Sequence, residues 1–579
     1  MGHPSGGEIV AEVLERQGIA HVFTLCGGHI APILVASKAR GIRVIDVRHE
    51  ANAVFAADAM ARLTGIPGVA VVTAGPGVTN TVTAVVNARA AESPVVLLGG
   101  ATGVLIKGRG ALQDIDQLSL IRTQVKWART VNRLKDLGPA VADACRQAKE
   151  GIPGPVFVEC PVDLLYDEQI VRDWYLRGLG KGRSVQALAL RSYVRWRLSR
   201  MFATGTADKS GEAGSVEPSG PDAARVEKAA ARLATAKRPV MIVGSQALCE
   251  PAAATEVTAA VEALGIPTYL SGMARGLLGR AHPLHLRHKR REALRECDLV
   301  ILAGVPCDFR LDYGRQISRN ATILAANLNR RQLRLNRRPD IGVVAAPGRF
   351  LQALARETPK RAEAWGEWRA QLRQRDTARD DEIATEAAQG MQRVNPLRLF
   401  KEIEAMLPDH AVLIGDGGDF VATGSYVLRP RAPLSWLDPG PFGTLGVGAG
   451  FAMSTALARE GAEVWLFYGD GAAGFSLMEF DTFVRHRLPV IAVVGNDAGW
   501  WQIAREQVEI LKDDVATKLE RTDYHKVAEG LGGRGLLLER DDDIVPVLEE
   551  ARRIAQDGAP VLINAQLAVS EFRKGAVSM

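Results

Sequence analysis

The feature that most constrains the fold of this chain is a pair of short apolar runs near its C-terminal end. Residues 462–468 precede Gly469-Asp470-Gly471, and residues 489–494 precede Gly495-Asn496-Asp497. Short apolar runs are typical of strands buried in a parallel sheet, and residues 477–486 between them have the pattern of a helix. A strand, a glycine turn, a helix and a second strand predict a parallel βαβ unit.

Acidic residues follow both of these strands. In an open α/β sheet, neighbouring strand ends bind ligands at one edge, so Asp470 and Asp497 can face one metal ion. Mg²⁺ prefers oxygen ligands and phosphate oxygens of a substrate, and the glycines let backbone N–H groups approach an anion. We therefore predict a magnesium and diphosphate site that includes Gly469, Gly471 and Ala472. A Gly-Asp-Gly sequence alone is more often an ordinary turn.

A second candidate site lies near the N-terminus. Residues 41–47 predict a strand that runs into Arg48-His49-Glu50 and then into a helix of small residues. Glu50 therefore stands at the carboxyl end of a strand. The alternative interpretation is a carboxylate at a helix N-terminus, which the helix dipole favours without any further function.

Composition excludes several classes of protein. A chain of 579 residues exceeds one hydrophobic core, so roughly two to four domains are expected. Hydrophobic residues make up 47% and charged residues 24%, which fits a soluble α/β protein. The net charge of +6 is small for this length, and basic and aromatic residues do not interleave as in a nucleic-acid reader, so no nucleic-acid partner is expected.

The six cysteines show no C-x-x-C spacing, so neither a disulfide framework nor a cysteine metal site is expected. This favours a reducing compartment, and we predict a cytoplasmic protein. Residues 7–17 already have the pattern of an amphipathic helix, which predicts that no signal peptide opens the chain, and no apolar run has the length of a membrane span.

The pattern along the chain predicts three doubly wound α/β domains with parallel sheets. Strand candidates of the first two are residues 21–25, 43–47, 68–73, 95–99, 155–158, 239–243, 266–270, 298–303 and 321–326, and the third has strands near Val412, Val464 and Val490. The predicted division is an N-terminal domain (1–170), a basic segment and flexible linker (171–221), a central domain (222–350), a charged helical connector (351–392) and a C-terminal domain (393–579).

Two connecting segments are unusual. Residues 187–202 interleave arginines with leucines and aromatic residues, and two interpretations stay open: peripheral contact with a membrane surface, or docking on a neighbouring domain. The connector over residues 358–388 is rich in Arg, Glu and Ala and predicts a helix whose charges form a solvated face.

Several further motifs resemble one family in the family's order. They are Thr73-Ala-Gly-Pro-Gly-Val-Thr-Asn80, residues 151–158, residues 236–244 and Pro441-Phe-Gly-Thr-Leu-Gly-Val-Gly448, in addition to the two sites above. Over nearly its whole length the chain is similar to the thiamine-diphosphate-dependent enzymes, which include acetolactate synthases, oxalyl-CoA decarboxylases and 2-hydroxyacyl-CoA lyases. Residues 272–280, 307–311, 415–423 and 495–500 resemble the 2-hydroxyacyl-CoA lyase subgroup.

The resemblance implies thiamine diphosphate and Mg²⁺ as cofactors, with the first domain binding the pyrimidine ring and the third binding the diphosphate. Glu50 would hydrogen-bond a pyrimidine nitrogen, and we expect burial among Val54, Phe55 and Ala56 to favour its protonated form. The backbone of Gly443 would contact the other edge of the ring, and the Leu445 side chain would bend the cofactor. Gly417 and Gly418 would form a turn that flanks it.

The resemblance also assigns metal ligands and substrate contacts. Asp470 is one ligand, Asp497 lies at the family's spacing for the second, and the carbonyl of Gly499 is a third. The family usually has Asn-Asn where this chain has Asn496-Asp497, so Asn496 is the alternative ligand. Gln113 matches a glutamine that reaches towards the reacting centre, and His29 follows the first strand where the family's substrate loop lies.

The implied activity is cleavage of a 2-hydroxyacyl-CoA to an aldehyde and formyl-CoA, which also runs in reverse as an acyloin condensation. One alternative is an acetolactate synthase acting on pyruvate, and another is a non-catalytic scaffold or regulatory relative. The family implies a homodimer or homotetramer and a possible nucleotide, ADP or FAD, in the central domain. The basic residues of the C-terminal tail (570–579), Arg573 among them, could meet CoA phosphates.

Overall fold

A computed structural model describes residues 4–179, 184–203, 219–358 and 362–574. The chain divides into two compact units, one of residues 1–62 and 66–217 and the other of residues 63–65 and 218–579. No helix in the described part of the chain is long and apolar enough to cross a membrane.

The first unit contains a six-stranded parallel sheet in the order β2-β1-β3-β4-β6-β5. Its strands are β1 (His21–Leu25), β2 (Arg43–Asp46), β3 (Gly68–Val72), β4 (Val95–Ala101), β5 (Trp127–Thr130) and β6 (Val156–Pro161). Its helices are α1 (Gly6–Arg16), α2 (Ala31–Ala39), α3 (Glu50–Thr64), α4 (Pro76–Thr79), α5 (Val82–Ala90), α6 (Gln117–Arg122), α7 (Leu137–Lys149), α8 (Val162–Leu165), α9 (Glu168–Arg177) and α10 (Val185–Met201).

The second unit contains two more six-stranded parallel sheets. The central sheet has the order β12-β11-β10-β7-β8-β9, with strands β7 (Pro239–Val243), β8 (Thr268–Leu270), β9 (His285–Leu286), β10 (Leu299–Ala303), β11 (Thr322–Ala326) and β12 (Ile341–Val343). The last sheet has the order β14-β13-β15-β16-β18-β17, with strands β13 (Ala411–Gly415), β14 (Trp436–Leu437), β15 (Glu463–Gly469), β16 (Val490–Asn496), β17 (Arg534–Leu538) and β18 (Val561–Gln566).

The helices of the second unit connect these strands. They are α11 (Ala223–Thr235), α12 (Ala254–Leu264), α13 (Arg290–Glu296), α14 (Pro347–Glu357), α15 (Gly366–Ala387), α16 (Pro396–Met406), α17 (Asp419–Val427), α18 (Val447–Ala458), α19 (Asp470–Ser476), α20 (Phe480–His486), α21 (Trp501–Leu511), α22 (Tyr524–Gly530) and α23 (Ile544–Gln556).

Three parallel sheets with interleaved helices confirm the predicted fold class. The predicted strands are present because their apolar runs are buried on both faces, as in β3, β4 and β7, whose residues are all buried. The strands that prediction missed are mostly short or carry exposed residues: β5 is half-buried throughout, and β9 and β14 have two residues each. The boundaries of the five predicted segments remain predictions.

The basic segment forms α10, and its last turn belongs to the core of the first unit. Leu198, Met201 and Phe202 are buried there, with Val194 packed beside them. The first part of the helix keeps large apolar side chains exposed, including Trp196. Docking on the core of the first unit therefore explains the apolar residues at the end of α10, but not the exposed apolar residues nearer to its start. The predicted flexible linker lies mostly in residues 204–218, outside the described residues.

The charged connector forms α15, and the prediction that its charges form a solvated face is wrong for Asp376. Asp376 is buried, and its Oδ1 accepts hydrogen bonds from the backbone N–H groups of Arg287 and His288 at 2.8 and 2.7 Å. Trp368 and Leu372 on the same helix pack into the core of the central sheet. The helix therefore forms part of the central domain's packing, which its high charge content conceals in the sequence.

Candidate active site

Three loops meet at the carboxyl edge of the last sheet. Strands β13 and β15 are hydrogen-bonded neighbours, so the turns that follow them lie side by side. The N–H of Gly469 donates to the carbonyl oxygen of Gly417 at 3.0 Å. A methyl group on Gly417 would come within 2.2 Å of Leu445 Cδ2, so only glycine leaves room for that side chain. The predicted residues Gly417, Gly418, Leu445 and Gly469 are thus brought together.

Asp416 holds the loop that carries Leu445. It follows β13, and its side chain accepts hydrogen bonds from the backbone N–H groups of Gly446 at 2.8 Å and Gly448 at 2.7 Å. Gly443 and Gly446 both have positive φ angles, +67° and +91°, which glycine adopts without strain. Burial raises the pKa of Asp416 to about 7, against the effect of the two N–H donors. The sequence analysis did not identify this residue.

The two predicted metal ligands, Asp470 and Asp497, follow the neighbouring strands β15 and β16, which pair at Gly469 and Gly495. Burial, together with the charges of Asp470 and Asp419, raises the pKa of Asp497 to about 8. The Asp470 side chain accepts hydrogen bonds from the N–H groups of Gly471 at 2.7 Å and Gly499 at 3.1 Å. Burial also raises the pKa of Asp470, and a divalent cation would neutralise two such desolvated carboxylates.

Asn496 and Gly499 complete the predicted ligand set. The amide nitrogen of Asn496 donates to the carbonyl of Thr522 and to Asn564 Oδ1, at 3.0 and 3.1 Å. Its buried Oδ1 has no hydrogen-bond partner in the described chain. The predicted ligand atoms are the side-chain oxygens of Asp470, Asp497 or Asn496 and the carbonyl oxygen of Gly499. All of them are hard oxygen donors, which fit Mg²⁺. In the described residues no three His, Cys, Asp or Glu side chains gather as a metal cluster, so the two carboxylates would act with amide and backbone oxygens.

Asp419 and Trp500 also border this edge. Asp419, for which the sequence suggested no role, is bound by both terminal nitrogens of Arg505, so its charge is compensated. A methyl group on Gly471 would come within 2.4 Å of the Trp500 ring, so this indole covers the glycine turn. Trp501 instead donates from Nε1 to the carbonyl of Asp497 at 2.9 Å and so fixes the backbone of that loop.

In the first unit, Glu50 is the first residue of α3 and is buried. Asn80 Nδ2 donates to Glu50 Oε2 at 3.0 Å. Asn80 ends the Thr73–Asn80 motif, but the sequence analysis gave it no role. The Asn80 amide therefore binds one oxygen of the Glu50 carboxylate, and the other oxygen, Oε1, can accept a hydrogen bond from a ligand.

The two predicted substrate contacts, His29 and Gln113, both lie beside the segment of residues 73–80 that follows β3. His29 Nδ1 is 3.2 Å from Thr73 Oγ1, and burial lowers the pKa of the imidazole. A methyl group on Gly75 would come within 2.9 Å of Gln113 Cβ, and Gln113 has a positive φ of +63°. The 73–80 segment therefore joins the surroundings of His29, Gln113 and Glu50.

Gln117 secures this arrangement and was also missed in the sequence. Its Oε1 accepts from the N–H of Gly75 at 3.0 Å, and its Nε2 donates to the carbonyl of Gly100 at 2.7 Å. A buried glutamine at the start of the short helix α6, four positions after Gln113, has no distinctive sequence pattern. Only the folded chain reveals that it ties two strand ends together.

The residues around Glu50 and those around the Asp470 turn are two candidate half-sites, one in each unit. Three family models match the chain: "Thiamine pyrophosphate enzyme, N-terminal TPP binding domain" over residues 4–120, "central domain" over 226–354 and "C-terminal TPP binding domain" over 416–565. Thiamine pyrophosphate is another name for thiamine diphosphate. The chain belongs to the family of thiamine-diphosphate-dependent enzymes.

Individual relatives narrow this class. Proteins named 2-hydroxyacyl-CoA lyase 2 from Bos taurus and Homo sapiens are each 48% identical over 99% of this chain and 92% of their own length. A probable acetolactate synthase from Mycobacterium bovis is 33% identical over 96% of this chain and 95% of its own length. The similarity to the lyases thus extends through all three sheets.

Proposed function

We propose that this protein is a thiamine-diphosphate- and Mg²⁺-dependent carbon–carbon lyase that cleaves a 2-hydroxyacyl-CoA to an aldehyde and formyl-CoA. The observation that carries the proposal is the full-length similarity to proteins of that name, together with the two half-sites. When bound, thiamine diphosphate supplies the electron sink that cleavage next to a carbonyl requires. The protein supplies anchorage, orientation and control of protons.

In the first unit, the buried Glu50 would hydrogen-bond the pyrimidine ring of the bound cofactor. Asn80 fixes one oxygen of the Glu50 carboxylate by its 3.0 Å hydrogen bond, so the other oxygen is available to the ring. His29 and Gln113 are placed to contact the substrate. Because burial lowers the pKa of His29, it would act as a neutral hydrogen-bonding group near pH 7.

In the second unit, Asp470, Asp497 and the carbonyl of Gly499 would hold Mg²⁺, which would neutralise the diphosphate. Asp497 is favoured as the second ligand because it supplies a charged oxygen, and Asn496, whose buried Oδ1 has no partner among the described residues, is the alternative. The Leu445 side chain would support the cofactor, and Asp416 keeps that loop in place.

A product assay tests the substrate. Pyruvate, oxalyl-CoA and a 2-hydroxyacyl-CoA are offered side by side with added thiamine diphosphate and Mg²⁺. Formyl-CoA and aldehyde from the hydroxyacyl-CoA alone support the proposal, and acetolactate from pyruvate would establish the alternative. If none of the three substrates gives a product, the non-catalytic alternative is supported instead. An FAD in the central domain would colour the protein yellow, whereas ADP would leave it colourless.

We also propose a homodimer or homotetramer in which different copies supply the two halves of each site. Glu50→Gln and Asp470→Asn chains are prepared separately, unfolded together and reassembled. If the halves come from different copies, mixed assemblies regain about a quarter of wild-type activity, because half the dimers are mixed and each has one intact site. If one copy supplies both halves, the mixture stays inactive.

We propose that the protein is a cytoplasmic enzyme. We also propose that its helix α10 makes a peripheral contact with a membrane. Five large apolar side chains of this helix are exposed: Val185, Leu188, Leu190, Tyr193 and Trp196. Arginines lie between them, a combination that suits the interface of anionic lipids. Cosedimentation with phosphatidylserine vesicles at low salt, lost in a Leu190→Ser/Trp196→Ser variant, is the expected result. No sedimentation of the wild-type protein would contradict it.

A further inference from the structure

The loop that carries two of the proposed metal ligands contains a backbone conformation that its own sequence does not favour. Ala498 lies between Asp497 and Gly499 and has a positive φ of +59°. Residues with a Cβ atom seldom adopt this left-handed conformation, and it persists only where neighbouring contacts hold it. Mg²⁺ requires nearly ideal ligand geometry, so the contacts that hold this loop bear directly on how well it binds the ion.

These contacts come from the clamp segment, which we define as residues 517–524, between α21 and the first residue of α22. The backbone N–H of Leu519 donates to the carbonyl of Ala498 at 2.9 Å. Next to this hydrogen bond, Gly499 and Lys518 form an antiparallel bridge. The metal loop and the clamp segment are therefore paired through their backbones.

Arg521 of the clamp segment joins the ends of two neighbouring strands. Its Nη1 donates to the carbonyl of Asn496, the last residue of β16, at 2.6 Å, and to Gln566 Oε1, at the end of β18, at 3.0 Å. Its Nη2 donates to the carbonyl of Leu567 at 3.0 Å. A planar guanidinium group holds several acceptors in a fixed arrangement, which a flexible lysine does not. Arg521 thus fixes the peptide that joins Asn496 to Asp497.

Tyr524 and Thr522 extend the same support to both turns of the site. The hydroxyl of Tyr524 donates to the backbone carbonyl of Asp470 at 3.1 Å. The carbonyl of Thr522 accepts from the amide nitrogen of Asn496 at 3.0 Å. One short segment therefore contacts both of the turns that carry the proposed ligands.

The charge of Arg521 on its own would work against a bound cation. Burial raises the pKa of Asp470 and of Asp497, and the charge of Arg521, a smaller effect, lowers both. A positive group at that range repels Mg²⁺. The three hydrogen bonds of Arg521 go to neutral oxygens and not to a carboxylate. Its geometry, and not its charge, is therefore what this residue contributes to the site.

We propose that Arg521 and Tyr524 are positioning residues of the Mg²⁺ site, which set the two carboxylates and the Gly499 carbonyl in the arrangement that the ion requires. Neither residue binds the ion itself. The inference rests on the Mg²⁺ site of the proposed function, but it concerns residues that neither a local sequence pattern nor the resemblance to the family singles out.

Calorimetric titration with thiamine diphosphate at several Mg²⁺ concentrations tests this on the full chain, stripped of cofactor. The measured quantity is the Mg²⁺ concentration that gives half-maximal uptake, which requires no turnover. The variants are Arg521→Met, Arg521→Lys and Tyr524→Phe. The matched control is Lys518→Met, which removes a positive charge from the same segment at a side chain that is 74% exposed. Thermal unfolding shows whether each variant is folded, and Tyr524→Phe, which loses only a hydroxyl group, decides if Arg521→Met does not fold.

We expect the half-maximal Mg²⁺ concentration to rise about tenfold or more in Arg521→Met and less in Tyr524→Phe, because ligands that lose their supporting contacts bind a metal less well. Arg521→Lys should stay well above the wild type, since it keeps the charge but loses the planar fork, and Lys518→Met should match the wild type.

Three results would overturn the inference. If Arg521→Lys matched the wild type, charge and not geometry would be the contribution of Arg521. Tighter Mg²⁺ binding in Arg521→Met would show that the residue acts only by repulsion. A lower melting temperature in Arg521→Met and Tyr524→Phe with an unchanged Mg²⁺ dependence would mean that both residues support only the fold.

The same experiment separates this inference from the proposed function. Wild-type protein that takes up thiamine diphosphate in an Arg521-dependent way but yields no formyl-CoA would refute the lyase activity and leave the positioning role intact. An active lyase whose Mg²⁺ dependence is the same in Arg521→Met and the wild type would do the reverse. No uptake by the wild type would overturn both.

Discussion

The second unit contains two clusters of like charge that differ in sign and in how the chain builds them. At the edge of the last sheet, burial and the charge of Asp470 raise the pKa of Asp497 to about 8. In a cavity lined by arginines between the end of β8 and α17, burial and the charge of Arg275 lower the pKa of Arg290. The acidic pair comes from two turns on paired strands, whereas the arginines come from sequence-distant segments. The proposed Mg²⁺ would neutralise the acidic cluster.

The largest expected effect is at the acidic cluster. Asp470→Asn removes one of the two carboxylates and should lower kcat/KM by about a hundredfold or more, because the metal that holds the diphosphate is weakened. Excess Mg²⁺ should restore part of the activity. The matched control is Asp542→Asn, whose side chain is 96% exposed. Full activity of Asp470→Asn at limiting Mg²⁺ would remove this residue from the metal site.

The next effect concerns the positioning of the cofactor loop beside that cluster. Asp416→Asn keeps the size of the side chain but can no longer accept from both Gly446 and Gly448. We expect kcat to fall by roughly tenfold to a hundredfold, as for other small misplacements of reacting groups, with a smaller change in KM. Steady-state kinetics on the purified variant checks this, and unchanged kcat would mean that the loop is held by other contacts.

Asp416 also predicts a pH dependence that the arginine cavity lacks. Burial raises its pKa from the ordinary 3.8 to about 7 in the folded protein. A carboxyl with a raised folded-state pKa stabilises the protein fully below its ordinary pKa, and this contribution is lost as the pH rises through about 7. The melting temperature of the cofactor-free wild type, relative to Asp416→Asn, should therefore fall from about pH 4 to about pH 7 and level off at higher pH. A constant difference between the two proteins would contradict the assignment.

Close packing of Gly417 on Leu445 predicts an intermediate effect. Gly417→Ala places a methyl group where Leu445 Cδ2 lies, so the leucine must move and kcat should fall by about tenfold. Adding Leu445→Ala should recover stability but not activity, because the bent cofactor loses its support. Gly366→Ala is the control, since an added methyl group there meets nothing within 4 Å. Recovery of full activity in the double variant would show that Leu445 is only a packing residue.

The contrast also explains how far the sequence predicts this protein. The apolar runs of β15 and β16 and the turn residues Asp470 and Asp497 are local patterns, so both the strand ends and the candidate ligands could be read directly. Asn80, Asp416 and Gln117 act through one or two hydrogen bonds each to distant backbone or side-chain atoms, which no local pattern encodes. The arginine cavity requires α13, the end of β8 and residue 573 to come together, and only the folded chain shows that.

The most direct test of the central claim is calorimetric titration of the stripped protein with thiamine diphosphate, with and without Mg²⁺. We predict uptake only when Mg²⁺ is present, strong weakening in Asp470→Asn and no change in Asp542→Asn. Equal uptake in the presence of a chelator, or by Asp470→Asn at limiting Mg²⁺, would contradict the account.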